Sequence, residues 1–231
     1  MGTRIKIDSK ILNELSQKII DVAREMFNRE LVVSTFGVVS TRIPNSDYVL
    51  ITPSGFSKAK LETINLIVVD LDGKVVKGNL RPSVETPMHL FIHRKRNDLQ
   101  AVIHTHSTYA TAFAAANREI PCVSSEQAFY LGGRVPLVTN YSLPGTTDQK
   151  ELQSIVNALE EANAALLRKH GAVVVGKSLD EALDTAIVLE DVAKQAFFSM
   201  LISPPLEFSK NEIDRLKIFK QKQYGQRKSE K

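Results

Sequence analysis

The sequence predicts an α/β fold, a single domain with a central, mostly antiparallel or mixed sheet flanked by helices. Three observations lead there. Strand-like runs joined by tight turns alternate with amphipathic helices along 231 residues, which favours a shared sheet over a regular doubly wound one. The stretch LIVVDLDGKVVKG, residues 66–78, is an apolar strand, an Asp-Gly turn and a returning strand, the strongest hairpin signal in the chain. Internal repeats, Gly/Ser-rich linkers and low-complexity blocks are absent from the sequence, so residues 1–231 read as one domain.

Taken in order, Leu12, Leu15, Ile19, Ile20, Ala23 and Met26 recur at helical spacing and predict an amphipathic helix of about five turns from Ser9. LVVSTFGVVSTR (31–42) and YVLIT (48–52) read as two strands separated by the turn-forming PNSD, with TPSGF a loop after them. Beyond the hairpin, VETPMHLFIHRKR (84–96) is helical, with Pro87 near its start where a missing donor costs little. QAVIHTH (100–106) is a strand, STYATAFAAANR (107–118) a helix, and PLVTNY (136–141) a short strand. A helix over 146–163 takes Thr147 as its N-cap. AALLRKHGAVVVG (164–176) reads as one strand interrupted at Lys169 to Gly171, and a long amphipathic helix spans 178–202. A Lys-rich segment with helical spacing closes the chain.

Composition narrows the function classes. Hydrophobic residues make up 43% and charged residues 24%, as in ordinary globular chains. The net charge is +4, but residues 210–231 hold eight Lys or Arg against three Asp or Glu, which is +5 and leaves the body at −1. The basic segment reads as solvated, and neither a nucleic-acid nor a membrane partner is expected. Cys122 is the single cysteine, which excludes an intramolecular disulfide and a four-thiolate zinc site. With no leader-like or membrane-spanning stretch in the sequence, the expected location is cytoplasmic.

The chemistry concentrates in AVIHTHSTYATAF, residues 101–113. Strand side chains alternate, so His104 and His106 project from one face about 6 to 7 Å apart at the backbone. Imidazoles at that separation can converge on one ion, and a catalytic zinc takes three protein ligands and keeps a position open. His170, at a break in an apolar strand and followed by Gly171, is the candidate third ligand. Two hydrogen-bonded histidines on a strand face are the alternative. A second geometry places Glu85, His89 and His93 on one helix face, although that helix lacks the glutamate beside its first histidine that a metalloprotease needs. TPSG at 52–55 and RPS at 81–83 offer turn hydroxyls and N–H groups of the kind that bind phosphate oxygens.

TPSG, RPSVE, HTH, LGG and RKHG, in that order, resemble the class II aldolase and adducin family, and the likeness continues through the helix ending near Leu201. That resemblance implies a catalytic zinc ion, one per subunit, held by His104, His106 and His170. It gives Glu85 the part of a fourth, displaceable ligand and acid/base. A phosphorylated sugar is the implied substrate, bound by Thr35, Gly37, Ser54, Gly55 and Ser83. Two positions depart from the family pattern: Val38 replaces a phosphate-binding asparagine, and Val84 replaces the second residue of a Ser-Ser pair. An unphosphorylated hydroxyketone therefore stays open.

Within the family the sequence is most similar to the fuculose-phosphate aldolases of archaeal type, because the epimerases usually carry Asp where Glu85 stands. FKQKQYGQR resembles the aldolases' C-terminal segment, so the resemblance implies that residues 205–231 form a tail placing Tyr224 in a neighbouring subunit's active site. It also implies a homotetramer with active sites between subunits. Ser125 stands where bacterial aldolases have tyrosine, and Glu126 beside it resembles the acidic residue of sugar-phosphate dehydratases. Dehydratase, ribulose-phosphate 4-epimerase and a non-catalytic adducin-like domain are the alternatives to aldolase.

Overall fold

A computed structural model describes residues 7–224. Helix α1 (Ser9–Asn28) opens with the Asp8 side chain accepting from the Lys10 N–H, and buries Leu12, Ile19, Ile20, Ala23 and Met26 as their spacing requires. Each such large apolar side chain contributes about 1.5 to 3 kcal/mol on leaving water. Strands β1 (Val38–Arg42), β2 (Tyr48–Ile51), β3 (Ile67–Asp70) and β4 (Val75–Lys77) form an antiparallel meander. Helix α2 (Thr86–Lys95) leads to β5 (Ala101–Thr105), and α3 (Thr108–Ala115) to α4 (Ser125–Tyr130). Strand β6 (Leu137–Val138), α5 (Gln149–Glu161), β7 (Ala164–Leu167), β8 (Gly171–Gly176), α6 (Leu179–Ile202) and α7 (Lys210–Gln223) complete the chain.

The eight strands form one mixed sheet in the order β4-β3-β2-β1-β5-β8-β7-β6, antiparallel at every pairing except β6 with β7. Alternation sorts the side chains onto the two faces of the sheet. Val39, Leu50, Val68, Ile103 and Val174 pack with α1, α3 and α6 on one face. On the other, Val102, Val173 and Val175 pack with Met88, Phe91 and Ile92 of α2 and Leu152 and Ile155 of α5. His104 shares the parity of Val102, so it lies on the α2/α5 face at the open end of β5.

Three expectations are corrected. The strand expected from residue 31 begins only at Val38: the Leu31 N–H still bonds Met26 at the end of α1, and Ser34 and Gly37 sit at φ +57° and +81°, which bends the chain into a loop. Residues 164–176 are two antiparallel strands, not one interrupted strand, because Lys169 at φ +58° reverses the chain. The N-cap of α5 is Asp148, whose carboxylate accepts from the N–H groups of Lys150 and Glu151, rather than Thr147. The closing Lys-rich segment, read at helical spacing, is α7, which docks on α4 with Phe129 stacked on Phe219 and the Lys220 ammonium donating to the Phe129 carbonyl. No described helix is long and apolar enough to cross a membrane.

Candidate metal centre and active site

The carboxyl end of β5, the turn between β7 and β8, the start of α2 and two loops meet in one hollow. It encloses about 200 Å³ and is lined by Thr35, Gly37, Ser54, Gly55, Ser83, Glu85, His104, His106 and His170. All three imidazoles and the five expected substrate-binding positions are therefore together, with Val38 and Val84 among them.

Ring nitrogens of His104, His106 and His170 all lie within 4.8 Å of one another. The Nε2 atoms of His104 and His106 are 2.9 Å apart, near the roughly 3.3 Å expected of two nitrogens sharing a tetrahedral zinc ion. His104 Nδ1 lies 2.9 Å from the Ala172 carbonyl oxygen. That oxygen accepts only, so Nδ1 carries the proton and Nε2 turns its lone pair into the hollow. His170 Nε2 is buried without a hydrogen-bond partner, a cost that a metal ion at this point would remove. Burial, reinforced by the neighbouring imidazoles, holds His104 well below the ordinary histidine pKa and lowers His106 to about 4. Both rings are neutral near pH 7, the form that ligates metal. The donor set fits a divalent transition-metal ion.

Glu85 stands at the edge of this cluster, with Oε1 3.5 Å from His170 Nε2. It precedes the first turn of α2 and is almost fully buried. Sequence reasoning missed the group that faces it. The Tyr141 hydroxyl donates to Glu85 through long contacts of 3.5 and 3.4 Å to the two oxygens, and its ring stacks on His170 at 5.2 Å. Burial and the Glu85 charge raise the Tyr141 pKa, so the hydroxyl keeps its proton. Tyr141 follows β6, and its one sequence signal was an aromatic hydroxyl ending a predicted strand. Phe36, which stacks on His106 at 5.1 Å across the mouth, was missed as well.

The alternative helix-face site does not form. Ser40 Oγ lies 2.7 Å from His89 Nδ1 and 3.0 Å from His93 Nε2, so both rings are tied to β1 in the buried interior. Tyr224 and Glu126 lie outside the pocket of their own chain. Tyr224 is 56% exposed and packs 5.3 Å from Phe129 of α4. Glu126 is exposed on the same helix and accepts from the Ser125 hydroxyl.

Three clustered imidazoles and a carboxylate, at the rim of a mixed sheet between helical layers, form a site that could hold a metal ion. The chain belongs to the family described as Class II Aldolase and Adducin N-terminal domain, whose model matches residues 17–197. It is 34% identical over 211 residues to L-ribulose-5-phosphate 4-epimerase UlaF of Salmonella paratyphi C, covering 88% of this chain and 91% of that one. A protein described as a probable L-ribulose-5-phosphate 4-epimerase UlaF, from Mycoplasma pneumoniae, is 33% identical over 213 residues, covering 87% and 88%. Among solved structures, an L-fuculose 1-phosphate aldolase superposes with a TM-score of 0.83 at 27% identity, over 89% of this chain and 95% of that one.

Proposed function

We propose that the protein is a zinc-dependent aldolase that cleaves a ketose 1-phosphate, L-fuculose 1-phosphate or a close analogue, into dihydroxyacetone phosphate and a small aldehyde such as lactaldehyde. The observation that carries this reading is the gathering of His104, His106, His170 and Glu85 beside Thr35, Ser54, Gly55 and Ser83 in one hollow. The three imidazoles would hold the ion, with Glu85 as a displaceable fourth ligand. When bound, zinc supplies Lewis-acid polarisation of the substrate carbonyl.

The remaining steps belong to the chain. Thr35, Gly37, Ser54, Gly55 and Ser83 hold the phosphoryl oxygens through hydroxyls and backbone N–H groups. In cleavage, a base takes the C4 hydroxyl proton, the C3–C4 bond breaks, and its electron pair passes to the enediolate. Glu85 returns a proton to C3, and in condensation removes it from the same hydroxymethyl carbon. Tyr141, anchored against Glu85, keeps that carboxylate facing the reacting carbon. Tyr224 of a neighbouring subunit exchanges the proton of the C4 oxygen, in a homotetramer whose sites lie between subunits. Exposed Phe36, Val84 and Leu143 support such a neighbour, since an apolar surface invites a covering chain.

A second reading, epimerisation at C4 of a ketose 5-phosphate, is favoured by the names of the relatives at 33 and 34% identity. Breaking the same C3–C4 bond, turning the aldehyde over and re-forming the bond inverts C4. Dehydration through Glu126 has less support, because that carboxylate is exposed outside the hollow. Incubating zinc-loaded protein separately with L-fuculose 1-phosphate and L-ribulose 5-phosphate tests the choice. Dihydroxyacetone phosphate with lactaldehyde supports the aldolase; an unchanged mass with inverted C4 replaces it by the epimerase; loss of water replaces it by the dehydratase.

A further inference from the structure

Lys58 is among the largest fully buried side chains, 1% exposed, at the start of a short 3₁₀ turn, Lys58–Lys60. Its ammonium donates to the carbonyl oxygens of Thr35 at 3.1 Å and Phe56 at 3.2 Å. Those carbonyls belong to the two loops that bring Thr35, Gly37, Ser54 and Gly55 to the hollow. No salt bridge involves Lys58 among the described residues. A buried cation without a counter-ion is costly, and burial alone lowers this ammonium to a pKa of about 8. Val38 and Val84 bring no side-chain donor to the same hollow.

We propose that Lys58 is the counter-charge for an anionic phosphoryl group in this hollow: its ammonium neutralises the anion from behind the two loops without touching it. The proposal rests on the reading of the hollow as a sugar-phosphate site and adds a residue to it. Two effects act together. The positive charge attracts the phosphoryl group through a low-dielectric wall. The same ammonium keeps the Thr35 and Phe56 carbonyls turned towards itself, so neither oxygen is presented to the anion. Lys58 is thus a positioning and specificity residue, and it takes no proton in the reaction.

The test uses zinc-loaded full-length protein and inorganic phosphate as the probe, in wild type, Lys58→Met, Lys58→Gln and Ser54→Ala. Replacing this unpaired buried charge by an apolar chain of similar volume removes its desolvation cost, so Lys58→Met should fold, and Lys58→Gln serves if it does not. Calorimetric titration should show phosphate binding weakened on the order of ten-fold in the Lys58 variants and also weakened in Ser54→Ala. The rise in Tm produced by phosphate should shrink in the Lys58 variants even where their Tm without phosphate matches wild type; a merely structural lysine would leave that rise unchanged. Wild-type affinity in the folded Lys58 variants, with loss in Ser54→Ala, overturns the role of Lys58 and leaves the phosphate site standing. No phosphate binding by wild type, or none that responds to Ser54→Ala, overturns both.

Discussion

The Tyr141 hydroxyl lies 3.4 Å from Oε2 of Glu85, while the Tyr141 ring stacks on His170. One side chain therefore orients both the proposed acid/base and a proposed ligand. Tyr141→Phe keeps the stack and removes the donor. Its kcat/KM should fall about 10- to 100-fold, the usual cost of losing an outer-shell partner, with Tm little changed. Steady-state kinetics beside a melting curve checks this; an unchanged kcat/KM would remove Tyr141 from the mechanism.

Gly171 is required by a close approach of backbone. A Cβ there would stand 2.3 Å from the Thr105 carbonyl oxygen and 3.3 Å from His104 Cε1. Gly171→Ala forces β8 away from β5 and should destabilise the fold by about 1 to 3 kcal/mol. Zinc affinity should fall with it, because His170 adjoins the displaced residue. Denaturant titration and metal competition measure the two effects.

Stability of the metal-free protein should decline as pH falls below neutrality. His106 titrates at about 4 and His89 at about 3 when folded, against 6.5 for an unperturbed histidine, in each case chiefly through burial. Below about 6.5 the unfolded chain takes up protons that the folded chain refuses, so unfolding gains ground down towards the folded values. Above 6.5 these groups contribute no slope. Unfolding free energies at pH 7.5, 6.0 and 5.0 should show the drop, and a flat profile would contradict the buried neutral rings.

Metal removal should act through the imidazole cluster and Glu85. Dialysis against a chelator should lower Tm and abolish turnover, and added zinc should restore both, turnover saturating with occupancy and the stabilisation growing as RT ln(1 + c/Kd), with c the free zinc concentration. His106→Gln should bind less than one ion per chain by mass spectrometry and lose the zinc-dependent rise in Tm. Full metal occupancy in that variant would place the ion elsewhere.

Much of this was legible in the sequence where local chemistry and tertiary structure agree. The Asp-Gly hairpin formed because its turn and its alternation ask for the same pairing. His104 and His106 both reach the hollow because strand alternation carries one residue past Thr105, where the His106 N–H bonds the Leu31 carbonyl. Other elements depended on contacts that no local pattern carries. Residues 31–37 contain strand-forming valines, yet the end of α1 and the positive φ at Ser34 and Gly37 take the segment out of the sheet. Short α4 is fixed by Gln127, whose amide reaches the carbonyls of Ile120 and Gly133 in the buried interior. Tyr141 and Lys58 gain their meaning only from partners 56 and 23 residues away.

The most direct test of the aldolase reading is proton exchange at dihydroxyacetone phosphate. The zinc-loaded protein, given this compound alone in deuterated water, should replace one hydroxymethyl hydrogen by deuterium, as followed by proton NMR. Glu85→Gln should exchange at least 100-fold more slowly while keeping its fold. Absence of exchange in wild type, with inversion of L-ribulose 5-phosphate at C4 by the same preparation, would contradict the aldolase and establish the epimerase in its place.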